Sequence, residues 1–179
     1  LQDERSIYWL VRLHPVYPTL EFRMCDVCPR AEDAVAIAGL MRTLVIAAVR
    51  DVLPRAVAGA LSDAAWDAIL ADDCWRVTRH GLDARVVDPG RSDGWECVAD
   101  ATARLVDGLA AVADSAGETA ALQGVVRILE RGNAADRMRR EYAKHGSLRG
   151  VMRWVTGETM LGTGMDRRMD QRLPVAEPV

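Results

Sequence analysis

The segment His14-Pro15-Val16-Tyr17-Pro18 constrains this chain more than any other. Each proline fixes φ near −65° and offers no backbone donor, so no helix runs through it. β-formers crowd residues 7–13 on one side and 19–24 on the other. The reading is an antiparallel strand pair joined by five residues. Alternation sorts the second strand: Leu20, Phe22 and Met24 face one side and are expected to pack on helices, while Thr19, Glu21 and Arg23 face the other. Glu21 and Arg23 then lie roughly 7 Å apart on one face. Arg12, on the face of Tyr8 and Leu10, can join them through hairpin pairing.

After Pro29 the pattern turns helical. Apolar residues at 34, 35, 38, 41, 45, 48, 49 and 52 follow helical spacing over 30–53, up to Pro54. This helix is apolar almost all round and is expected to be buried on several sides. Ser62 or Asp63 caps a second helix that Gly81 ends. Residues 85–88 make a short strand, followed by a turn through Pro89 and Gly94. Further helices are expected over 95–115, 118–131, 134–145 and 148–159, and the polar tail 161–179 is expected to fray. Twenty-seven alanines and a single phenylalanine, Phe22, suit helices packed through small side chains. The fold class is α+β, a strand pair over 1–29 and a helical body over 30–160.

Half the residues are hydrophobic and 27% are charged, the balance of a packed domain. A net charge of −3 and a pI near 5.6 argue against a general nucleic-acid binder. The lone lysine, Lys144, does not follow a glycine-rich loop, which excludes a P-loop. The most apolar stretch, 34–49, is interrupted by Arg42 and Thr43 and falls short of a membrane span. The sequence opens at Leu1 without a secretory pattern, and four cysteines are too few for a disulfide framework. The expectation is a piece of a longer, cytoplasmic protein with reduced thiols that contacts neither membrane nor nucleic acid.

Three constellations could carry chemistry. Glu21 and Arg23 are either a solvated charge pair or a site in which Glu21 ligates a hard cation such as Mg²⁺ and Arg23 holds a phosphate oxygen. Cys25 and Cys28 have the CxxC spacing of a zinc or redox motif but lack a second ligand pair. Arg76 and Arg79 share a helix face at i, i+3, either solvated or anion-binding. A further basic cluster, Arg131, Arg137, Arg139 and Arg140, reads as solvated helix surface beside Glu130 and Glu141. His14, His80 and His145 have no Ser or Cys neighbour in a triad-like arrangement.

Longer blocks carry a resemblance. The runs Ser6-Ile-Tyr-Trp-Leu-Val-Arg12 and Tyr17-Pro-Thr-Leu-Glu-Phe-Arg-Met-Cys-Asp-Val-Cys28 are similar to carboxylate–amine ligases of the second glutamate–cysteine ligase family. So are Asp73-Cys-Trp-Arg-Val-Thr-Arg-His-Gly-Leu-Asp83, Gly124-Val-Val-Arg-Ile-Leu-Glu-Arg-Gly132 with Ala135-Asp-Arg137, and Ser147-Leu-Arg149. The resemblance covers residues 5 to about 160 in order.

It implies a glutamine-synthetase-like fold, with a β-hairpin of an antiparallel active-site sheet followed by a mostly helical C-terminal half. It implies ATP-dependent joining of an amino-acid or other small carboxylate to an amine through an acyl phosphate, with Mg²⁺ or Mn²⁺. Glu21 then matches a metal ligand, and Arg23 the arginine that meets the transferred phosphate. Arg12 matches a substrate or phosphate contact, while Arg76 and Arg79 match basic positions expected to assist nucleotide binding. This sequence departs from the family at Leu10, where Asp is usual, at Leu13, where Pro is usual, and at Asp73 and Cys74, where Asn and Arg are usual. The resemblance makes the chain a C-terminal portion, completed by an N-terminal half in cis or as a partner chain, with a homo-oligomer also open. The alternative is a catalytically inactive helical module that binds or regulates such a ligase.

Overall fold

A computed structural model describes residues 10–53 and 62–161. The expected fraying tail, the first residues of the first strand and Pro54 fall outside the described residues. What is described is mostly helical with two small antiparallel sheets, an α+β arrangement. No helix among the described residues is long and apolar enough to cross a membrane.

Strands β1 (Val11–Leu13) and β2 (Leu20–Phe22) pair antiparallel, Arg12 directly opposite Glu21. Helix α1 (Ala31–Val49) follows, then α2 (Asp63–His80), a single 3-10 turn (Gly81–Asp83), and the strands β3 (Arg85–Val87) and β4 (Trp95–Cys97). Helices α3 (Val98–Ala116), α4 (Thr119–Arg131), α5 (Ala134–His145) and α6 (Leu148–Met160) complete the order. Local chemistry sets several ends. Ser62 accepts the Ala65 N–H, Asn133 and Asp136 form a reciprocal capping box, and Ser147 accepts the Gly150 N–H. Gly117 and Gly146, both left-handed, close α3 and α5.

Three sequence expectations need correction. Residues 95–97 are not the start of a helix but the strand β4, paired with β3 across the expected turn. Pairing wins there because Asp93 accepts the Trp95 N–H, Glu96 is buried on Arg104, and Asp73 of α2 accepts the Val87 N–H. Second, α1 is buried along one face only, through Asp33, Ala36, Gly39, Thr43 and Ala47, while Val35 and Val49 stand exposed. Its main packing partners among the described residues are α3 and α4, and Asp33 on the same face also pairs with Arg137 of α5. Third, Leu20 and Met24 of the hairpin are exposed rather than packed on helices.

The core lies between α1, α3 and α4, built on Ala36, Ala47, Val106, Leu109, Ala113, Leu122 and Val125. Its closest approach runs through residues without bulk. A Cβ built on Gly39 would lie 2.2 Å from the Ala121 Cβ, and one on Gly124 would lie 2.6 Å from the Ala36 Cβ. Neither alanine Cβ can rotate away. We therefore expect Gly39→Ala to lower stability by about 1–3 kcal/mol through overpacking, despite its better helix propensity. Gly157→Ala, at an open position in α6, is expected to be neutral or stabilising by up to about 1 kcal/mol. Urea midpoints of the two variants decide the matter, and equal midpoints would refute the close contact.

Candidate functional site

The hairpin register builds one polar face. Because Arg12 lies opposite Glu21, and Arg23 donates its N–H to the Leu10 carbonyl at 2.8 Å, side chains of 10, 12, 19, 21 and 23 share that face. The Arg12 Nε donates to Glu21 Oε2 at 2.7 Å. The Arg23 Nε lies 3.7 Å from the other carboxylate oxygen. The structure thus brings together three of the five residues singled out from the sequence, with Arg12 added by pairing rather than by spacing.

Electrostatics follows from the contacts. The Arg12 hydrogen bond, followed by the nearby positive charges of Arg12 and Arg23, holds the Glu21 carboxyl below its ordinary 4.5, against a partial desolvation that raises it. Sign follows directly: the pairing is complete above that ordinary value and is lost as pH falls through the depressed one. A third of the Glu21 side chain remains exposed, so a ligand can reach it. One carboxylate does not hold Mg²⁺ alone, since that ion takes six oxygen donors. Among the described residues no group of three or more His, Cys, Asp or Glu is placed to bind a metal. Glu21 fits as one donor in a set completed from elsewhere.

Arg76 and Arg79 do not join this face through any hydrogen bond or ion pair among the described residues. Arg76 pairs with Asp72 at 2.7 Å and stacks 4.8 Å from the Trp95 ring, which ties α2 to β4. Arg79 is exposed in the last turn of α2, where a cation suits the helix dipole. Cys25, Cys28, Cys74 and Cys97 are all free thiols. Burial pushes the Cys25 and Cys28 thiols up, the latter also through Cys25 and Asp26. A raised thiol is a poor nucleophile, which weighs against the redox reading.

Two features escape a reading of sequence alone. One is a buried charge network that replaces the expected solvated cluster. Arg137, its side chain 10% exposed, pairs with Asp33 of α1 and Glu158 of α6, and stacks 4.8 Å from the Trp154 ring. Arg131 also pairs with Asp33, and Arg30 with Glu158. Desolvation, then the neighbouring Arg30, pulls Arg131 and Arg137 below the ordinary guanidinium value. Arg139 and Arg140 of that cluster behave as expected, both exposed, Arg139 paired with Asp136 and Arg140 donating to the Arg131 carbonyl. The other feature is His14. Alternation from Arg12 places it on the polar face, and its Nδ1 accepts backbone N–H groups of the turn.

Against this geometry stand the likenesses to known proteins. The sequence pattern described as glutamate–cysteine ligase family 2 matches residues 1–154. A Herpetosiphon aurantiacus protein provisionally named glutamate–cysteine ligase 2 is 27% identical over 167 residues, covering 93% of this chain and 42% of the relative. A Pseudomonas entomophila protein of the same provisional name is 34% identical over 179 residues, covering 92% and 43%. One from Frankia alni, provisionally glutamate–cysteine ligase 2-2, is 34% identical over 161 residues, covering 88% and 40%. The chain spans about 40% of the length of the curated relatives it matches.

Proposed function

The chain belongs to glutamate–cysteine ligase family 2, and from that premise we propose that it is the C-terminal portion of an ATP-dependent carboxylate–amine ligase. The reaction joins a small carboxylate, such as an amino acid, to an amine through an acyl phosphate, within a glutamine-synthetase-like fold. The observation that carries this reading is the register placing Arg12 opposite Glu21 with Arg23 beside both.

Each residue has a role that the chemistry requires. ATP with Mg²⁺ or Mn²⁺ supplies the phosphoryl group and part of the charge neutralisation. Glu21 would offer the cation one carboxylate oxygen, ionised at neutral pH as a carboxyl held below its ordinary 4.5 must be. Arg23 presents a guanidinium to the transferring phosphate, whose oxygens gain charge as the acyl phosphate forms. Arg12 fixes the Glu21 carboxylate and so directs its free lone pairs. Arg76 and Arg79 enter this reading as outlying anion contacts, on the resemblance alone.

The rest of the cation's donors and most of the substrate pocket belong, in this reading, to a preceding portion of the ligase in the same chain or a partner. Exposed Leu13, Val16, Tyr17, Leu20 and Met24 on the hairpin, and Val35 on α1, support a larger assembly. A specific observation favours the second reading, an inactive binding module. The polar-face neighbour of Arg23 is Leu10, which cannot position a polar substrate or a metal-bound water.

ATP- and Mg²⁺-dependent phosphate release separates the two. We expect release when this chain is assembled with the preceding portion of a family ligase and offered glutamate with a panel of amines. Silence of that assembly across the panel would leave the binding module as the function.

A further inference from the structure

We propose that His14 is the positioning residue of the Arg12–Glu21–Arg23 face, its Nδ1 fixing the turn that keeps the two strands in register. Its consequence for catalysis rests on the ligase reading above, whereas the positioning itself does not.

The turn is short of donors, because Pro15 and Pro18 have none. The N–H groups of Val16 and Tyr17 both donate to His14 Nδ1, each at 3.1 Å. The Thr19 N–H donates to the Tyr17 carbonyl at 2.7 Å, and the His14 N–H to the Thr19 carbonyl at 2.9 Å. The imidazole also packs on Tyr17, ring centroids 4.9 Å apart. A side chain accepting from the second and third residues after it is the arrangement by which Asn and Asp build turns. Here an imidazole does the same, placed just before a proline.

Two consequences follow from elementary chemistry. Nδ1 accepts only when it carries no proton, so the half-buried ring is the neutral Nε2–H tautomer. Removing this acceptor also leaves two backbone donors of the turn without their partner. Each strand is only three residues long, so beyond the short backbone ladder and the Arg12–Glu21 pair little else resists slippage. A one-residue slip would turn Arg12 and Glu21 to opposite faces, because side chains alternate with a period of two. His14 therefore guards the one relation on which the candidate site depends. None of the helical core residues comes from the hairpin, so this role is separable from global stability.

The test uses the 179-residue chain as His14→Ala and His14→Asn, Asn restoring an acceptor at nearly the same place. Long-range ¹H–¹⁵N spectra of the wild type should show the Nε2–H tautomer. Cross-strand NOEs between residues 12 and 21 should vanish in H14A and persist in H14N, with both variants keeping the wild-type helical melt. An Nδ1–H tautomer, or intact 12–21 NOEs in H14A, would overturn the proposal. In the assembled ligase, H14A should lose about 10²-fold in kcat with little change in KM, and H14N should recover most of it. If the wild-type assembly shows no turnover while the NMR pattern holds, the ligase reading fails and the positioning role stands.

Discussion

Glu21→Gln or Arg23→Ala, placed in a complete family ligase carrying this chain, is expected to lower turnover by about 10²–10³-fold, the scale of removing one preorganised charge-stabilising group. In the proposed roles one change removes a donor to the cation and the other a guanidinium facing the phosphate, and neither residue belongs to the helical core. Gln keeps the length and one acceptor oxygen of Glu21, so the Arg12 hydrogen bond survives while the negative charge is lost. Ala at 23 removes a guanidinium whose side chain is about a third exposed and which lies outside the helical core. The melting of the helical body should therefore match wild type for both. Wild-type turnover in both variants would remove Glu21 and Arg23 from the site. Reduced turnover accompanied by an equal loss of structure would show only that the hairpin had unfolded.

The largest effect on stability is expected at Asp33, the carboxylate that holds Arg131 and Arg137. Asp33 is 6% exposed, and the network contains three guanidiniums, Arg30, Arg131 and Arg137, against two carboxylates, Asp33 and Glu158. Arg131 Nε and Arg137 Nη1 are already buried without a hydrogen-bond partner. Asp33→Ala leaves the three cations, of which Arg137 is the most buried, facing one carboxylate. The expected loss is about 3–5 kcal/mol, the cost of breaking a buried pair by removing one partner. For a chain of this size that lowers Tm by on the order of 10 °C. The double variant Asp33→Ala/Arg131→Met should recover part of the loss, since it also removes a stranded cation. A loss below about 1 kcal/mol for Asp33→Ala would mean that water reaches these guanidiniums freely.

These two sites mark the range of what local sequence can specify. The helices α4, α5 and α6 follow from short-range signals within a residue or so, because Asn133, Ser147, Gly117 and Gly146 act on neighbours one to four positions away. The polar hairpin face is legible for the same reason, since alternation and a proline-bounded turn already place Glu21 with Arg23 and leave Arg12 one pairing away. Trp95–Cys97 misleads because three residues carry almost no periodicity, and only pairing with Arg85–Val87 makes them a strand. The ion pair of Arg30 with Glu158 joins residues 128 positions apart, and that of Arg131 with Asp33 joins residues 98 apart. No window of sequence contains both partners. In the sequence His14 stands out only as a histidine without a Ser or Cys neighbour, because its use as an acceptor depends on turn geometry that the two prolines impose.

The stacking of Arg137 on Trp154 has a practical consequence. An indole held against a guanidinium reports its surroundings optically, and this one sits inside the charge network that Asp33 completes. Trp75, 64% exposed, contributes a nearly solvent-like background instead. Emission on heating should therefore carry a component from Trp154 that shifts when α5 and α6 part from α1. The chain carries its own probe for the loosening of that corner, with no added label.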